Sequence, residues 1–469
     1  MMQPFAVIIG ACGWILVLLA ADLLLPEGKR PAILWGLAFL GLGVCAVLQR
    51  LFVIDRFAGY FNGLFFITLA VVIVMIREVK RPAMAHLGAF YLLLFTALLG
   101  MLVLASVSDL LLLFLGLELF TFSLYIMTAY LTTDARSIEA GMKYLILGSV
   151  SSGFLVYGIA LLYGAAGGTS FTAIRAALSG GSVPMGAQAG LLLVLAGLGF
   201  KVAAVPFHLW VPDVYEGAPT PVVALLSVGS KMAGIVAMMR LLYGACLPLL
   251  AMWGGMLAIL SAATLCYGNL GAIPQTNIKR LLGYSSIGHA GYLLMGLSTG
   301  SIAGLEAVGY YLLAYLFSNL TVFFVVAVAT DALGGESLDD YNGLSKRSGW
   351  LAAAMFTSLL SLAGVPPLAG FVGKWLVLLR TLESGQLWLV AIGAANVAIS
   401  LYYYLLVVKR MYLVAPRDPT PIRTSRLTNA ALAFLVLGIL AIGIFQGPFL
   451  QRIPAEALAK AGLASALRP

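Results

Sequence analysis

Long apolar stretches follow one another along almost the whole chain, and they constrain its fold more than any other feature. Of the 469 residues, 62% are hydrophobic and only 10% are charged, and the mean hydropathy is +1.04. One soluble core cannot bury so much apolar surface, so the bilayer must act as the solvent. Because a helix satisfies its own backbone in lipid and about 20 residues cross the hydrocarbon, the sequence predicts an all-α polytopic membrane protein.

Glycine, proline and charged residues divide these stretches into about fourteen predicted transmembrane helices. The predicted spans cover residues 5–25, 31–50, 58–76, 86–104, 109–131, 140–165, 189–205, 219–243, 249–271, 278–298, 303–330, 350–380, 386–411 and 428–450. No basic residues precede the first stretch and no small-residue cleavage site follows it. We therefore expect a retained span and not a signal peptide.

Two connecting segments are too polar to cross lipid. Residues 167–188 are expected to include a short surface helix at 171–178. Residues 331–348 are first acidic and then basic, and we interpret them as a solvated loop, with a docking site as the alternative.

The basic residues lie mostly at the ends of apolar runs and indicate an orientation. With fourteen spans, and with residues near the end of a span counted with the adjoining loop, one set of loops holds sixteen of the 27 lysines and arginines, Lys279 among them. The other loops and the tails hold eight, Arg240 among them, and three lie deep inside spans. Since cytoplasmic loops are enriched in basic residues, both termini are expected on the outer side. Their scattered placement argues against nucleic-acid binding despite the net charge of +9.

The cysteines and short motifs indicate neither a metal nor a redox cofactor in this chain. Cys12, Cys45, Cys246 and Cys266 lie singly in apolar runs without CxxC spacing, so we interpret them as packing residues. No GxGxxG motif follows a predicted strand. Nucleotide and electron-transfer chemistry is therefore expected elsewhere.

Four lysine and glutamate residues lie well inside predicted spans, away from the span ends: Glu118, Lys201, Lys231 and Lys374. Each costs roughly 2.5–3.5 kcal/mol at the bilayer centre, so their presence demands a reason. Glu118 and Lys231 lie about 13 and 16 Å into their predicted helices, close to half the membrane. A single such lysine would equally well snorkel to the headgroups or form a structural ion pair, but four at similar depth favour a function.

Two of the lysines lie beside helix-breaking prolines. Lys201 precedes Pro206, and Lys374 follows Pro366 and Pro367. Because proline removes a backbone donor and clashes with the preceding turn, both spans are predicted to be discontinuous, with freed carbonyls facing water or polar side chains. Paired breaks of this kind are typical of transporters.

Proton transfer is the chemistry that these residues favour. Burial and a neighbouring carboxylate shift a lysine's pKa in opposite directions, so a Glu–Lys pair in a partly wet cavity can exchange a proton when its partner moves. His208 and His289 are candidate relays, because imidazole both donates and accepts near neutral pH. An isolated buried histidine is more often a structural hydrogen-bonding group, so we rank both below the lysines.

A faint internal repeat accompanies the paired breaks. Lys143 begins KYLILGSVSSGFLVYG and Lys279 begins KRLLGYSSIGHAGYLLMG. We predict two five-helix repeats, spans 4–8 and 9–13, and an odd number of helices inverts the second copy. The predicted divisions of this single transmembrane domain are 1–85 (helices 1–3), 86–245 (first repeat), 246–412 (second repeat) and 413–469 (last helix and tail).

Three stretches resemble a known family. KVAAVPFHLWVPDVYEGAPTPVVALLSVGSKMAG, NIKRLLGYSSIGHAGY and AGVPPLAGFVGKW look like the antiporter-like proton-channel subunits of respiratory complex I, and the likeness covers nearly the whole chain. DVYEGAPTPVVA with SVGSK, a lysine and not a glutamate at position 374, and the short length are similar to one of its three members. The largest member usually carries a long carboxy-terminal helix, which is not seen here.

The resemblance implies a role for each candidate residue. Glu118 and Lys201 would form the coupling pair of a first half-channel, Lys231 would connect toward a second, and Lys374 would serve proton exit or uptake there. His208 and His289 would be hydrated relays.

The resemblance also implies a location and partners. The chain would lie in a bacterial inner membrane beside other membrane-arm subunits, and it would translocate protons as electrons pass from NADH to quinone. NADH, FMN, iron–sulfur clusters and quinone are expected in partner subunits. The alternatives are a subunit of a Mrp-type cation/proton antiporter, a related redox complex using another donor, or a scaffold whose buried charges are inert ion pairs.

Overall fold

The computed structural model describes residues 6–26, 28–52, 55–79, 86–180 and 183–454. The predicted tail beyond residue 454 and the basic residues Lys80 and Arg81 lie outside these ranges. Within them, no strand forms beyond two isolated bridges, and the all-α prediction is confirmed.

Seventeen helices carry the fold of the described residues. They are α1 Ala6–Leu24, α2 Arg30–Leu51, α3 Arg56–Glu78, α4 Leu87–Ala105, α5 Leu110–Thr128, α6 Ala135–Ala166, α7 Phe171–Leu178, α8 Met185–Val202, α9 Val211–Gly217, α10 Thr220–Gly244, α11 Leu250–Ala272, α12 Ile278–Ser298, α13 Ile302–Leu333, α14 Gly349–Ala363, α15 Ala369–Glu383, α16 Leu387–Leu413 and α17 Arg426–Ile444. Short helical turns at Leu247–Leu249, Leu338–Tyr341, Leu344–Arg347 and Gln446–Leu450 lie between or after them.

Twelve helical segments among the described residues are long and apolar enough to cross a membrane. The other two predicted spans correspond to α12, which carries serines and a histidine, and to the pair α14 and α15. Every predicted span is therefore helical. The predicted surface helix is also present, as α7.

Capping residues explain where several spans begin and end. Asp109 and Asn277 cap α5 and α12, each accepting a backbone N–H bond of 2.8 Å. Gly167 and Gly334 follow α6 and α13 in the left-handed conformation, with φ of 66° and 76°. Successive spans run in opposite directions, so each span has one end on each side of the bundle. We call the side where α1 begins the first face and the opposite side the second face.

The centre of the bundle is formed by α10 and α13, which are almost entirely buried, whereas α1 and α2 are largely exposed at the periphery. Exposed apolar side chains on such peripheral helices suit lipid or a neighbouring membrane protein.

Both predicted breaks are present. The first separates α8 from α9 at residues 203–210 and contains Pro206, and the second separates α14 from α15 at residues 364–368 and contains Pro366 and Pro367. Ala203, the residue that follows α8, has a φ of 65°, a left-handed conformation that is uncommon for a residue other than glycine.

Two matching bridges support the inverted repeats. One joins Asp109 to Ser170 and the other joins Asn277 to Ser337. Each connects the residue before one span to a residue just beyond the next helix, which has 32 residues in both copies. Five crossings separate the two bridges, so they lie on opposite faces, as inverted repeats require.

The two similar sequence stretches, which begin at Lys143 and Lys279, do not lie on helices that correspond in the two repeats. Lys143 is the ninth residue of α6, the sixth span, whereas Lys279 is the second residue of α12, the tenth. In the structural repeat α6 matches α13 and α12 matches α5. The similarity of the two stretches therefore did not identify equivalent helices.

Candidate functional site

The first buried polar cluster joins α5, α6 and α8. The Lys201 Nζ lies 3.9 Å from the Glu118 Oε1 and donates over 3.5 Å to the Tyr125 hydroxyl. The Ser152 hydroxyl donates to the same Glu118 oxygen over 2.6 Å. The Lys201 side chain is 0% exposed and that of Glu118 is 14% exposed. The structure thus brings the predicted pair together as a long contact, with Glu118 near the surface of the bundle.

One face of α6 shapes this cluster. Tyr144, Gly148 and Ser152 are four residues apart and therefore lie one above another. The Tyr125 hydroxyl occupies the space above Gly148, where an added Cβ would lie 1.8 Å from its oxygen. Glycine at this position is what lets Tyr125 reach Lys201.

The substitution Gly148→Ala is therefore expected to displace Tyr125 and to lower stability by about 1–3 kcal/mol, as overpacking does. The measurement is the apparent melting temperature of the purified protein in detergent. Gly153→Ala on the same helix is the matched control, because nothing lies within 4 Å of its added Cβ. Equal melting temperatures for the two variants would contradict the prediction.

The second cluster surrounds Lys231 on α10. Its Nζ donates to the Ser286 carbonyl and, over 2.5 Å, to the Ser286 hydroxyl. The hydroxyls of Tyr215 and Tyr315 also bond to that hydroxyl, over 3.0 and 3.1 Å. No carboxylate of the described residues lies within ion-pair distance of Lys231, so hydroxyl and carbonyl oxygens replace an acidic partner.

A π-helical turn at Leu226–Ser230 comes directly before Lys231. Such turns interrupt the regular helix and occur often at functional sites. The Asn319 amide holds this turn by donating to Ser227 over 2.7 Å, and it also donates to Tyr315 over 3.1 Å. The sequence predicted an unbroken span here, whereas the structure shows a local distortion at the lysine.

The third cluster is centred on His289 of α12. Its ring nitrogens bond to the hydroxyls of Tyr311, over 2.7 Å, and Tyr404, over 3.1 Å. Its ring lies 5.0 Å from that of Tyr315, between centroids. Tyr315 touches the Lys231 cluster through Ser286, so His289 lies next in line.

Lys374 is the last member of a row of buried ionisable residues that begins at Glu118 and continues through Lys201, Lys231 and His289. Its Nζ donates over 3.0 Å to the carbonyl of Ala363, the last residue of α14, and over 3.3 Å to Ser400. The expectation that a break frees carbonyls for polar side chains is met here. Lys374 and His289 also line one small cavity of about 10 Å³. This is about the size that holds one water molecule.

His208 lies apart from this row. It is 4% exposed, and its ring packs against Tyr267 at 4.1 Å between centroids. Neither ring nitrogen makes a hydrogen bond of ordinary geometry to the described residues, although the ring lies near the Pro206 backbone.

Glu118 is the ninth of 19 residues in α5 and Lys231 the twelfth of 25 in α10, so both lie midway along their helices. Sequence reasoning found the charged members of the row and missed the hydroxyl and amide groups that connect them. The only signal was polar residues recurring inside apolar runs. These connecting residues are Tyr125, Ser152, Tyr215, Ser227, Ser286, Tyr311, Tyr315, Asn319, Ser400 and Tyr404.

A further buried cation lies at the first face. Arg240 was counted with the outer loops, but it lies inside α10 and is 7% exposed. It pairs with Asp55, the cap of α3, and its Nε donates over 2.9 Å to the Ala105 carbonyl at the end of α4. This ion pair joins α10 to the ends of two other spans.

Ion pairs at the second face hold the half-helix α9. Asp213 pairs with Lys143 and with Arg280, each at 2.7 Å, and Glu216 pairs with Arg280 at 3.0 Å. These contacts fix α9 between α6 and α12.

Lys279 was counted with the inner loops, but it lies in the first turn of α12 and is 4% exposed. It pairs with Glu336 at 2.9 Å and donates to the Ala218 carbonyl over 3.1 Å. A cavity of about 440 Å³ lies beside it and reaches the start of α10 at Thr220. Water therefore has access to this end of α10.

The polar loop at residues 331–348 pairs many of its charges within the chain. Asp339 bonds to Arg410 and lies 3.7 Å from Arg417, and Arg347 lies 3.5 Å from Asp418. These internal pairs support the interpretation as a solvated loop.

An all-helical bundle with inverted repeats, two broken spans and a row of buried ionisable residues defines a membrane protein of the ion-transporter class. The chain belongs to the NADH:quinone oxidoreductase/Mrp antiporter transmembrane family, whose model matches residues 107–400. The resemblance of the three sequence stretches is thereby confirmed.

Curated relatives are similar over most of their length. The NADH-quinone oxidoreductase subunit N of Moorella thermoacetica is 42% identical over 443 residues, covering 92% of this chain and 93% of that protein. A subunit N of Solibacter usitatus is 43% identical over 402 residues, covering 85% and 81%. Subunit N is also the member of the complex I family that the quoted stretches indicated.

Solved structures show the same fold. A chain of respiratory complex I from Thermus thermophilus superposes with a TM-score of 0.81 at 30% identity, covering 95% of this chain and 98% of that one. A chain of the Mrp complex from Dietzia superposes with a TM-score of 0.84 at 21% identity, covering 99% and 98%. At that identity the second likeness concerns the fold alone.

Proposed function

We propose that this chain is a membrane-arm subunit of a proton-translocating NADH:quinone oxidoreductase. It translocates protons while neighbouring subunits pass electrons from NADH to quinone, and those subunits hold the FMN, the iron–sulfur clusters and the quinone. The observation that carries the proposal is the row from Glu118 through Lys201, Lys231 and His289 to Lys374, buried midway along the helices. Burying so many ionisable groups in a membrane costs free energy, and such residues usually have a function.

Glu118 and Lys201 act as the switchable pair of the first half-channel. Their 3.9 Å contact is longer than a tight ion pair, and each has a second partner, Ser152 and Tyr125. A small movement of either charge therefore changes which partner holds it, and the affinity of Lys201 for its proton changes with it.

Lys231 receives protons in the centre and Lys374 exchanges them at the second half-channel. His289 relays between them, because it bonds to two tyrosine hydroxyls and shares a water-sized cavity with Lys374. His208 is a less direct relay than His289. Its ring nitrogens make no hydrogen bond of ordinary geometry to the described residues, so water must connect it to other groups.

Neighbouring subunits cover the surface beside Glu118. Its side chain is 14% exposed at the middle of α5, where a charge cannot face lipid cheaply. We therefore place another membrane-arm subunit, a homologous antiporter-like one among the candidates, against α5 and α6.

The boundaries 1–85, 86–245, 246–412 and 413–469 describe how the chain divides around the two repeats. Basic residues are twice as frequent in the loops of the second face, so that face lies in the cytoplasm of the bacterium. Both termini then lie on the outer side.

A subunit of a Mrp-type cation/proton antiporter is the second candidate, favoured by the fold shared with the Dietzia chain. We expect purification of the native assembly to yield flavin- and iron–sulfur-containing partners. In proteoliposomes, NADH and a quinone should drive proton transport, followed with a pH-sensitive dye, because the redox partners supply the energy.

A sodium gradient is the control, and it should drive no proton flux in the same vesicles. Sodium-driven proton exchange without NADH would favour the antiporter. Activity with a different electron donor alone would instead indicate a related redox complex.

A further inference from the structure

Two buried hydroxyls lie between the Lys201 and Lys231 clusters. Tyr144 on α6 is 0% exposed, and Ser230, at the end of the π-helical turn, is 1% exposed. Ser230 lies close to the Tyr144 hydroxyl, yet neither hydroxyl has a hydrogen bond of ordinary geometry to any described residue. Buried hydroxyls without partners are rare in native proteins and call for an explanation.

Tyr144 adjoins the first cluster. Its ring meets the Tyr125 ring edge-on at 4.7 Å between centroids, and the Tyr125 hydroxyl accepts a hydrogen bond from Lys201. Trp210, in the segment that follows the first break, stacks on the other side of Tyr144 at 4.5 Å. These two contacts fix the ring, and its hydroxyl has no hydrogen bond of ordinary geometry to the described residues.

Ser230 adjoins the second cluster, because it directly precedes Lys231. The π-helical turn widens the helix at this point and sets the direction of both side chains. Ser230 and Gly234 are four residues apart and lie on one face of α10. An added Cβ at Gly234 would lie 3.5 Å from the Lys201 Cβ, so this face of α10 packs against Lys201. Tyr144, beside the first cluster, and Ser230, beside the second, are therefore two buried hydroxyls, without partners among the described residues, at the junction of the two clusters.

We propose that the hydroxyls of Tyr144 and Ser230 form the proton-transferring link between Lys201 and Lys231. This inference rests on the proposed function. When a proton moves along the link, Lys201 loses one proton and Lys231 gains one. Each hydroxyl accepts one proton and releases one, so both stay neutral. The serine oxygen moves when Ser230 rotates about its Cα–Cβ bond, and this rotation brings it into hydrogen-bond geometry with the Tyr144 hydroxyl.

The test is Tyr144→Phe in the assembled complex, reconstituted in proteoliposomes. Phenylalanine keeps the ring between Tyr125 and Trp210 and removes only the hydroxyl. Because a positioned proton-transfer group contributes two or more orders of magnitude and water replaces part of it, coupled proton translocation should fall about tenfold. The matched control is Tyr243→Phe, whose equally buried hydroxyl donates to the Leu297 carbonyl outside the row and whose loss should leave translocation unchanged.

A second variant separates proton transfer from packing. Ser230→Ala should lower translocation as much as Tyr144→Phe, and the double variant should be no slower than either, because two groups in one link fail together. Additive losses accompanied by a lower melting temperature would assign both residues a packing role and overturn the proposal. If Tyr144→Phe fails to assemble, the Ser230→Ala result decides.

Wild-type translocation by assembled Tyr144→Phe would also overturn the link. Lys201→Arg, measured in parallel, separates this failure from failure of the proposed function. If Lys201→Arg stops translocation and Tyr144→Phe does not, the link alone is rejected. If both variants translocate normally, the proposed function is rejected as well.

Discussion

Replacing Lys201 with arginine is expected to abolish proton translocation through this subunit while the complex still assembles. Arginine keeps the positive charge beside Glu118 but cannot give up its proton near neutral pH. Its pKa lies so far above neutral pH that almost none of it is neutral at pH 7. The measurement is NADH-driven proton transport in proteoliposomes, with subunit content determined on the same preparation.

The control for this substitution is Lys143→Arg. Lys143 also pairs with carboxylates, Glu139 and Asp213, but its side chain is 43% exposed and belongs to the ion pairs that hold α9. A charge of the same sign should suffice there. Normal translocation by assembled Lys201→Arg would mean that Lys201 does not release protons, and the scaffold interpretation of the buried charges would gain support.

The largest effect on stability is expected at Arg240. Its side chain is 9% exposed and pairs with Asp55, which is 26% exposed. Arg240→Leu leaves the Asp55 charge and the Ala105 carbonyl without this partner. Removing one member of a buried pair costs about 3–5 kcal/mol, and the partial exposure of Asp55 reduces the expected loss to about 2–3 kcal/mol. The apparent melting temperature of the purified complex measures it.

A double substitution tests the cause of that loss. Asp55→Asn removes the charge and keeps a good cap for α3, so Arg240→Leu combined with Asp55→Asn should recover much of the stability. Arg380→Leu is the surface control. Its partner Glu383 is half-exposed, and such pairs contribute little. If the double variant is as unstable as Arg240→Leu, the unpaired charge is not the cause.

The sequence predicted the spans well because lipid leaves the backbone few choices. An apolar run of about 20 residues in a bilayer must form a helix, and the prolines at 206, 366 and 367 must interrupt it. The same solvent made Glu118, Lys201, Lys231 and Lys374 visible, since a charge in an apolar run is a local anomaly that needs no neighbours to be recognised.

Other features could not be predicted, because they depend on contacts between distant segments. Ala203 gave no sign of its left-handed conformation, and a π-helical turn before Lys231 has no local signature. Arg240 and Lys279 were counted as loop residues, since only packing shows that Asp55 and Glu336 pair with them inside the bundle. The roles of the tyrosine and serine hydroxyls could not be predicted either, because they also depend on contacts between distant segments.

By itself, the sequence determined that this protein is a helical membrane bundle with charged groups at half depth, because hydropathy and proline act through local chemistry. Tertiary structure decided which of those groups are connected. It placed Lys201 beside Glu118, gave Lys231 oxygen partners in place of an acid, left His208 outside the row and buried the Tyr144 and Ser230 hydroxyls without hydrogen-bond partners among the described residues. Each of these outcomes depends on which helix faces pack against each other. A polar group buried between two such faces is either hydrogen-bonded or costs free energy.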